Sequence, residues 1–564
     1  MKICHICGQE VEIKLDFGLQ PVCNKFLKSP DEAEYKHFLS MGICSQCALV
    51  QLIEHPSAMN IKPKYRWINY SEPEKHLDET AERIASLLKN GSKIIGLTDK
   101  DKPLIEKLRN KGFEEAFILS EHLGIEEPYG MEMVQEALNL EKAKEIVLRN
   151  GKFDFIIVRH IFEHVHNFKE FNSAIKEMLN PEGIVMFEVP DYTRNFEKLD
   201  YSSIWEEHTV YFTPKTFRNS LQLSGYKLIS LDNFVYTMEN CLVAIAKVGA
   251  DKIILEGLDE EKRRAEYFFS NFPTIKQELQ DWCEEENKKG KVAIFGAGHT
   301  AAMLINIMEL KEFITCFVDD NENKKSLFMP GSRLPIKGSS VLNEIKLCLF
   351  CLNPEVEDKI MTKNSSFSGE FKSLSPASKY YLLNSYGFDN SDFSEYNEEV
   401  YYPVKEVVKL KNKEVNVLQR KAKFNERKRC RICTHKDSKD QVHEMIITLR
   451  QETYVRPHKH LQKSESFHII EGSAMVVLFE DNGSIKEIIE MGEYNSGKNF
   501  YYRLNGSSYH TVIITSPYLI FHETTKGPFD RNETIFAPWS PDEDKPEEGR
   551  AYLQNLLKIN EDRK

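Results

Sequence analysis

From residue 93 onward the chain alternates short apolar runs with amphipathic stretches. A strand-like run at Lys93–Leu97 is followed by others at Ala116–Leu119, Phe153–Val158 and Ile184–Val189. Segments of helical periodicity fall between them, at Leu104–Lys111, Leu140–Arg149 and Phe168–Leu179, and another, Asp78–Asn90, precedes them. Strands that alternate with helices in this way predict a parallel, doubly wound sheet. A charged helical stretch, Glu260–Lys289, leads into a second strand–turn–helix at Lys291–Leu310. After a polar segment near Ser366–Glu399, short strands with turn signals dominate from Val442 to Ile535, which predicts an all-β barrel.

Length and charge narrow the picture. A chain of 564 residues should form about three to five domains, because one core rarely grows past a few hundred residues. The formal net charge of −12 has the wrong sign for a general phosphate-backbone binder. The longest apolar runs, such as Phe155–Val158 and Thr511–Thr515, fall far short of the roughly 20 residues of a membrane span. The opening MKICHICGQE lacks the apolar core of a signal peptide. The expectation is a cytoplasmic protein with neither nucleic acid nor membrane as partner.

The chain has 12 cysteines, and a reducing compartment argues against disulfides. Cys4 and Cys7, with Cys44 and Cys47, form two CxxC knuckles, and four thiolates so arranged close a tetrahedral, structural zinc site. His5 lies inside a knuckle and should be secondary to it. Cys23, Cys241, Cys283, Cys316, Cys348 and Cys351 sit among apolar neighbours and read as small core residues. Cys348 and Cys351 repeat the CxxC spacing within LCLFCL, where a strand would point them to opposite faces.

Three segments of the first α/β domain carry candidate chemistry: RHIFEHV (Arg159–Val165), NPEGIVMFEVPD (Asn180–Asp191) and IWEEHTVYFTP (Ile204–Pro214). With the cysteine knuckles and YRWINYSEPEKH (Tyr65–His76), residues 1 to about 365 resemble the S-adenosylmethionine-dependent nucleotide-sugar C-methyltransferases. The resemblance implies that a zinc lobe and a C-terminal Rossmann-like lobe enclose the sugar nucleotide beside the methyl donor. It makes His208 the base that removes a proton next to a ketone, Glu207 its orienting partner, and Tyr65, Tyr70 and Tyr211 candidates for lining the sugar site. A neutral imidazole suits proton abstraction near pH 7. Donor-site candidates are Gly96, Thr98 and Asp99 in the first turn, Glu121 after the second strand, and Arg159 and Glu163 after the third. The chain also departs from the family. Its first turn, LTDKDKPL, has no glycine between Gly96 and Gly112, Glu121 comes late, and Trp205 stands where a tyrosine is usual. A turn built this way carries side chains where the donor should lie, so altered donor binding and loss of methylation both stay open.

The second lobe opens with KVAIFGAGHT, a strand entering a Gly296-Ala297-Gly298 turn and then a helix, and the next strand ends in Asp319 and Asp320. Gly296 and Gly298 would let a nucleotide approach a helix N-terminus. MPGSRLPI (Met329–Ile336) resembles the same region of the C-methyltransferases, which use this lobe to form the sugar-nucleotide cleft, so NAD is not inferred.

In PHKHLQKSESFHIIEG, His458 and His460 share one face of a strand, and Glu465 and Gly472 follow at the spacing of a first cupin motif. LNGSSYH supplies His510 as the second motif. Three histidines and a carboxylate suit iron, manganese, nickel or zinc. Residues 397–564 resemble the WbuC family of cupin-fold metalloproteins, found with surface-polysaccharide genes, through YYPV, ERKRCRICTH, TYVRPHKH and the tail ETTKGPFD to FAPWSPDE. The expected architecture is therefore multidomain, α/β plus all-β. It comprises a zinc-binding lobe (1–75), a methyltransferase-like Rossmann domain (76–250), a linker helix with a second doubly wound Rossmann-like lobe (251–395), and a cupin β-barrel (396–564) through which the chain could form a homo-oligomer. Three functions fit: a C-methyltransferase-like enzyme acting on a nucleotide-linked keto sugar, a nucleotide-sugar binder whose cupin does isomerase or epimerase chemistry, and a non-catalytic sensor or scaffold.

Overall fold

A computed structural model describes residues 2–561 apart from 66, 69–71, 121–130, 250–252, 383–391, 426, 462 and 531–532. The chain divides into two compact units, Met1–Leu382 and Leu383–Lys564.

The first unit begins with a small antiparallel sheet. Strand β1 (Val11–Pro21) pairs with β2 (Lys36–Cys44) in a register running from Val11 opposite Cys44 to Pro21 opposite Lys36. Strand β3 (Val50–Leu52) continues the sheet from β2. A second sheet then forms around β4 (Ile94–Gly96), β5 (Ala116–Ile118), β6 (Phe153–Arg159) and β7 (Leu179–Asp191), which run parallel in the order β5-β4-β6-β7. Their near-continuous Ile, Val and Phe fit a sheet covered on both faces. Two buried clusters cover it, one around Phe162, Phe187 and Phe217 and the other around Leu77, Leu104 and Ile105.

Strand β8 (Val210–Tyr211) returns to the first sheet and pairs with β3, Val50 opposite Tyr211. Strands β9 (Tyr226–Phe234) and β10 (Asn240–Val248) close the second sheet antiparallel to β7. A helix, Leu258–Lys289, then buries Phe268, Phe272, Ile275, Leu279 and Trp282 along one stripe at three- and four-residue spacing. It leads to a parallel sheet of β11 (Val292–Phe295), β12 (Cys316–Val318), β13 (Ile336–Lys337), β14 (Leu347–Phe350) and β15 (Glu370–Ser373), ordered β13-β12-β11-β14-β15.

The second unit is β-rich. Its centre is β19 (Val442–Arg450), β21 (Glu465–Phe479) and the 18-residue β24 (Tyr509–Lys526), with β24 paired to both of the others. Met445, Ile447, Phe467, Val476, Val512 and Phe521 from these strands share one buried cluster. Among the described residues no helix is long and apolar enough to cross a membrane.

Candidate functional site

The cysteine knuckles come together at the end of β2. Cys4 Sγ lies 3.7 Å from Cys47 Sγ, and Cys7 Sγ lies 3.4 Å from Cys44 Sγ. A tetrahedral zinc with bonds of about 2.3 Å holds its sulfurs roughly 3.8 Å apart, so the cluster needs little adjustment to take one. Hydrogen bonds from Cys4 and then Cys47 hold the Cys44 thiol down, at about 2, and the bond to Cys44 pushes Cys4 up to about 12. The thiolate is thus favoured on Cys44, whereas the Cys4 thiol keeps its proton until a bound metal displaces it. His5 is half-buried and its Nε2 meets the Leu52 carbonyl at 3.2 Å.

The β3–β8 pairing carries the next group. Residues 204–209 lead into β8, so the first sheet fixes their position. Within this segment, His208 Nδ1 lies 2.7 Å from the Tyr192 hydroxyl. Burial holds the His208 imidazole well below its usual range, helped by the positive neighbourhood of His299, Lys100 and His160. Glu207 Oε1 accepts from Asn24 Nδ2 at 2.9 Å. Trp205 stacks near-parallel on His299, centroids 3.6 Å apart, and also faces His208. Tyr211 is buried behind this layer, its hydroxyl donating to the Trp205 carbonyl at 2.8 Å, a supporting position rather than a lining one. Tyr65 donates to the Phe26 carbonyl at 3.3 Å and stacks on Trp67. Tyr70 lies outside the described residues.

Glu207 and His208 open onto a cavity of about 840 Å³. Its wall continues through Glu163 and His164 and reaches the second lobe at Gly296–Thr300 and Asp319. The glycine turn has a physical rationale. Gly296 has φ +105°, and a Cβ there would meet the Cys351 carbonyl at 2.8 Å, whereas a Cβ on Gly298 would meet nothing within 4 Å. Gly296 therefore serves the chain's own packing, and the space beside Gly298 stays open toward a ligand. Asp319 braces the turn by accepting from the Ala297 N–H at 3.1 Å.

At these same ends of the parallel strands of the second sheet, the region over Gly96 is packed. A Cβ on Gly96 would come within 2.6 Å of Asp101 Cβ, so the chain's own acid fills the space over that glycine. Asp101 is fully buried, and burial pushes its carboxyl up to about 7. Asp99 pairs with Lys102 at 2.5 Å. Arg159 binds Glu188 at 2.7 and 3.0 Å and also the Lys100 carbonyl, His160 meets Glu188 at 3.1 Å, and Lys100 pairs with Glu72. Of Gly96, Thr98, Asp99, Arg159 and Glu163, the cavity wall includes Glu163. The other four are packed over the strand ends, where Thr98 Oγ1 and Asp99 Oδ1 are buried without a hydrogen-bond partner among the described residues. Ser120 Oγ, beyond β5, is likewise buried with no hydrogen-bond partner among the described residues. Glu121 lies outside the described residues. Tyr192, Glu72, Lys100 and His299 are not marked as site residues by the sequence, although the last three lie in the quoted segments YRWINYSEPEKH, LTDKDKPL and KVAIFGAGHT, because side-chain contacts between distant segments leave no pattern.

In the second unit, β20 (His458–His460) pairs with β24 so that His458 sits opposite His510. Glu465, at the start of β21, brings its oxygens 2.8 Å from His510 Nε2 and 3.4 Å from His460 Nε2. The three Nδ1 atoms face outward, to the Arg456 carbonyl at 2.9 Å, the Ser508 carbonyl at 3.0 Å and Thr534 Oγ1 at 3.2 Å. Outer contacts of this kind aim the other nitrogens at a shared centre. Burial pushes His458 down to about 4, and His510 with His460 outweighs burial to hold Glu465 well below the carboxylate range.

Comparison with known proteins adds to this geometry. Residues 4–61 match a zinc-binding domain, 90–231 a methyltransferase domain, 256–372 a C-methyltransferase C-terminal domain, and 410–491 a domain of unknown function. The C-methyltransferase NovU of Streptomyces niveus is 22% identical over 357 residues, covering 59% of this chain and 84% of that protein. Among solved structures, an oxalate decarboxylase of Bacillus subtilis is 19% identical with a TM-score of 0.15, covering 17% of this chain and 24% of its own. A Shewanella oneidensis protein is 11% identical with a TM-score of 0.17, covering 22% of this chain and 77% of its own. The chain thus spans about a quarter of the decarboxylase. By domain content residues 4–372 are similar to C-methyltransferases, and a further carboxyl-terminal unit follows them.

Proposed function

We propose that residues 1–395, as a zinc lobe (1–75) with domains at 76–250 and 251–395, act on a nucleotide-linked keto sugar of surface-polysaccharide synthesis. The carrying observation is that His208, held neutral by burial, opens onto the same cavity as the turn at Gly298. In the tautomer whose Nδ1–H donates to the Tyr192 hydroxyl, Nε2 is free to take the proton from the carbon next to the ketone, and the electron pair stays on the sugar as an enolate. Glu207, held by Asn24, is the neighbour of His208 in the chain and lines the same cavity. In the class marked by the comparisons, S-adenosylmethionine supplies the methyl group.

The packed layer over Gly96 favours a second reading, in which the enolate is reprotonated instead of methylated. For the second unit we propose a cupin (396–564) holding one divalent metal on His458, His460, Glu465 and His510. It would perform or assist another sugar step of the isomerase or epimerase type. The convergence of Nε2 atoms on Glu465 supports this reading.

One experiment separates the readings of the first unit. In D₂O with a nucleotide-linked keto sugar, the full chain should exchange the proton next to the ketone, and His208→Gln should lose that exchange while binding the sugar within about threefold. Exchange at the wild-type rate in His208→Gln removes His208 from the mechanism. Methyl transfer from labelled donor supports the first reading, and exchange without donor binding supports the second.

A further inference from the structure

We propose a second metal site in the first unit, formed by Cys23, Glu206 and His299. The three residues come from three separate parts of the chain. Cys23 follows β1, Glu206 precedes β8, and His299 is the first residue of the helix after the glycine turn. All are buried, at 1%, 0% and 5% exposure. The sulfur, a carboxylate oxygen and an imidazole nitrogen lie within 4.8 Å of one another. Glu206 Oε2 is 2.7 Å from His299 Nε2, and Glu206 Oε1 accepts from the Cys23 backbone N–H at 2.6 Å.

Two further features single out this cluster. The His299 ring stacks on Trp205 at 6° from parallel, which holds the plane of its nitrogens. A separate cavity of about 120 Å³ lies alongside, walled by Cys23 and His299 together with Gly298, Asn321 and Lys324. Three buried protein ligands with space beside them form the pattern of a site that keeps one coordination position open.

The donor set names the ion. One thiolate, one imidazole and one carboxylate suit zinc, cobalt or ferrous iron, and are too soft for magnesium or calcium. A tetrahedral ion of this class sets its ligand atoms about 3.3–3.8 Å apart, so the Glu206–His299 contact would open by roughly 0.7 Å. The bland alternative is a hydrogen-bonded triad with no ion, the Cys23 thiol donating to Glu206. That arrangement desolvates three polar groups where an apolar trio would fill the same space without the cost. A bound ion would give the desolvation a use. It would tie the turn at Gly298 to the segment carrying Glu207 and His208, joining the nucleotide side of the cavity to the base. The site stands independently of whether the enolate is methylated.

Native mass spectrometry of the full chain equilibrated with zinc tests the site directly. The wild type should carry one more zinc than the double variant Cys23→Ser with His299→Gln, and equal counts would overturn the proposal. If that variant does not fold, Glu206→Gln keeps the size and can still accept from the Cys23 N–H while weakening the ligand. It should need at least tenfold more zinc to fill its last site, and a zinc dependence identical to the wild type would likewise overturn it.

Discussion

At the scale of the residue, burial decides what His208 can do. Burial and the nearby His299, Lys100 and His160 disfavour the imidazolium, so the base form persists at acid pH. A histidine with the ordinary value near 6.5 loses half its base form there. The depressed value moves that loss to lower pH, and proton exchange should stay flat from pH 7.5 through 6. An acid limb centred at 6.5 in the exchange profile would contradict this. Tyr192→Phe removes the hydroxyl that holds Nδ1 and should lower kcat roughly 10–100-fold through misplacement of the ring, with KM nearly unchanged. A matching rise in KM would point instead to a role in binding. The sequence made the Glu207–His208 pair legible because the two stand side by side in one segment. It could not show Tyr192 bonding His208, or His299 bonding Glu206 across 93 positions, because contacts between distant segments leave no periodic trace. Tyr211 shows the opposite limit. Its residue type suits a sugar wall, yet its hydroxyl is used by the Trp205 backbone.

Among the elements, β8 does more than its two residues suggest. It is the only described strand that ties the β1–β3 sheet to the segment of the base, through Val50–Tyr211 and Gln51–Val210. Cys44 ends β2, and Cys47 ends the turn that follows it, ahead of β3. A metal at the four sulfurs would therefore brace the strand that β8 rests on. Cys44→Ser should lose zinc and destabilise the first unit by more than about 3 kcal/mol, given the roughly 10–16 kcal/mol that structural zinc supplies in small modules. It should also abolish exchange at the His208 site. Unchanged zinc content and melting temperature would remove the cluster from that role. The alternating strands and helices from 93 to 189 were legible because buried parallel strands read as unbroken Ile, Val and Phe. The β9–β10 pair was not, since β9 mixes buried and exposed positions without regular alternation. The pairing of β8 with β3 joins positions some 160 residues apart, a distance that pattern reading does not bridge.

For the whole molecule, the division into two units carries its own expectation about metal. In the second unit the buried cluster of Met445, Phe467, Val476, Val512 and Phe521 is apolar and contains none of the four proposed ligands. The short β20 is held by backbone pairing to β24 and to β25 (Thr534–Phe536). Its fold therefore has a source of stability other than the metal. Three imidazoles and one carboxylate leave net positive charge on a divalent ion, and an open position there favours an oxygen-rich ligand and acidifies bound water. His458→Ala with His510→Ala in the full chain should accordingly lose the metal of this unit. The unit should still melt cooperatively, lower by no more than the several degrees that a few kcal/mol represent for a domain of this size. Retention of the metal would exclude these residues as ligands. Loss of cooperative melting would mean that the ion braces the fold and that the cluster is structural rather than a site of chemistry.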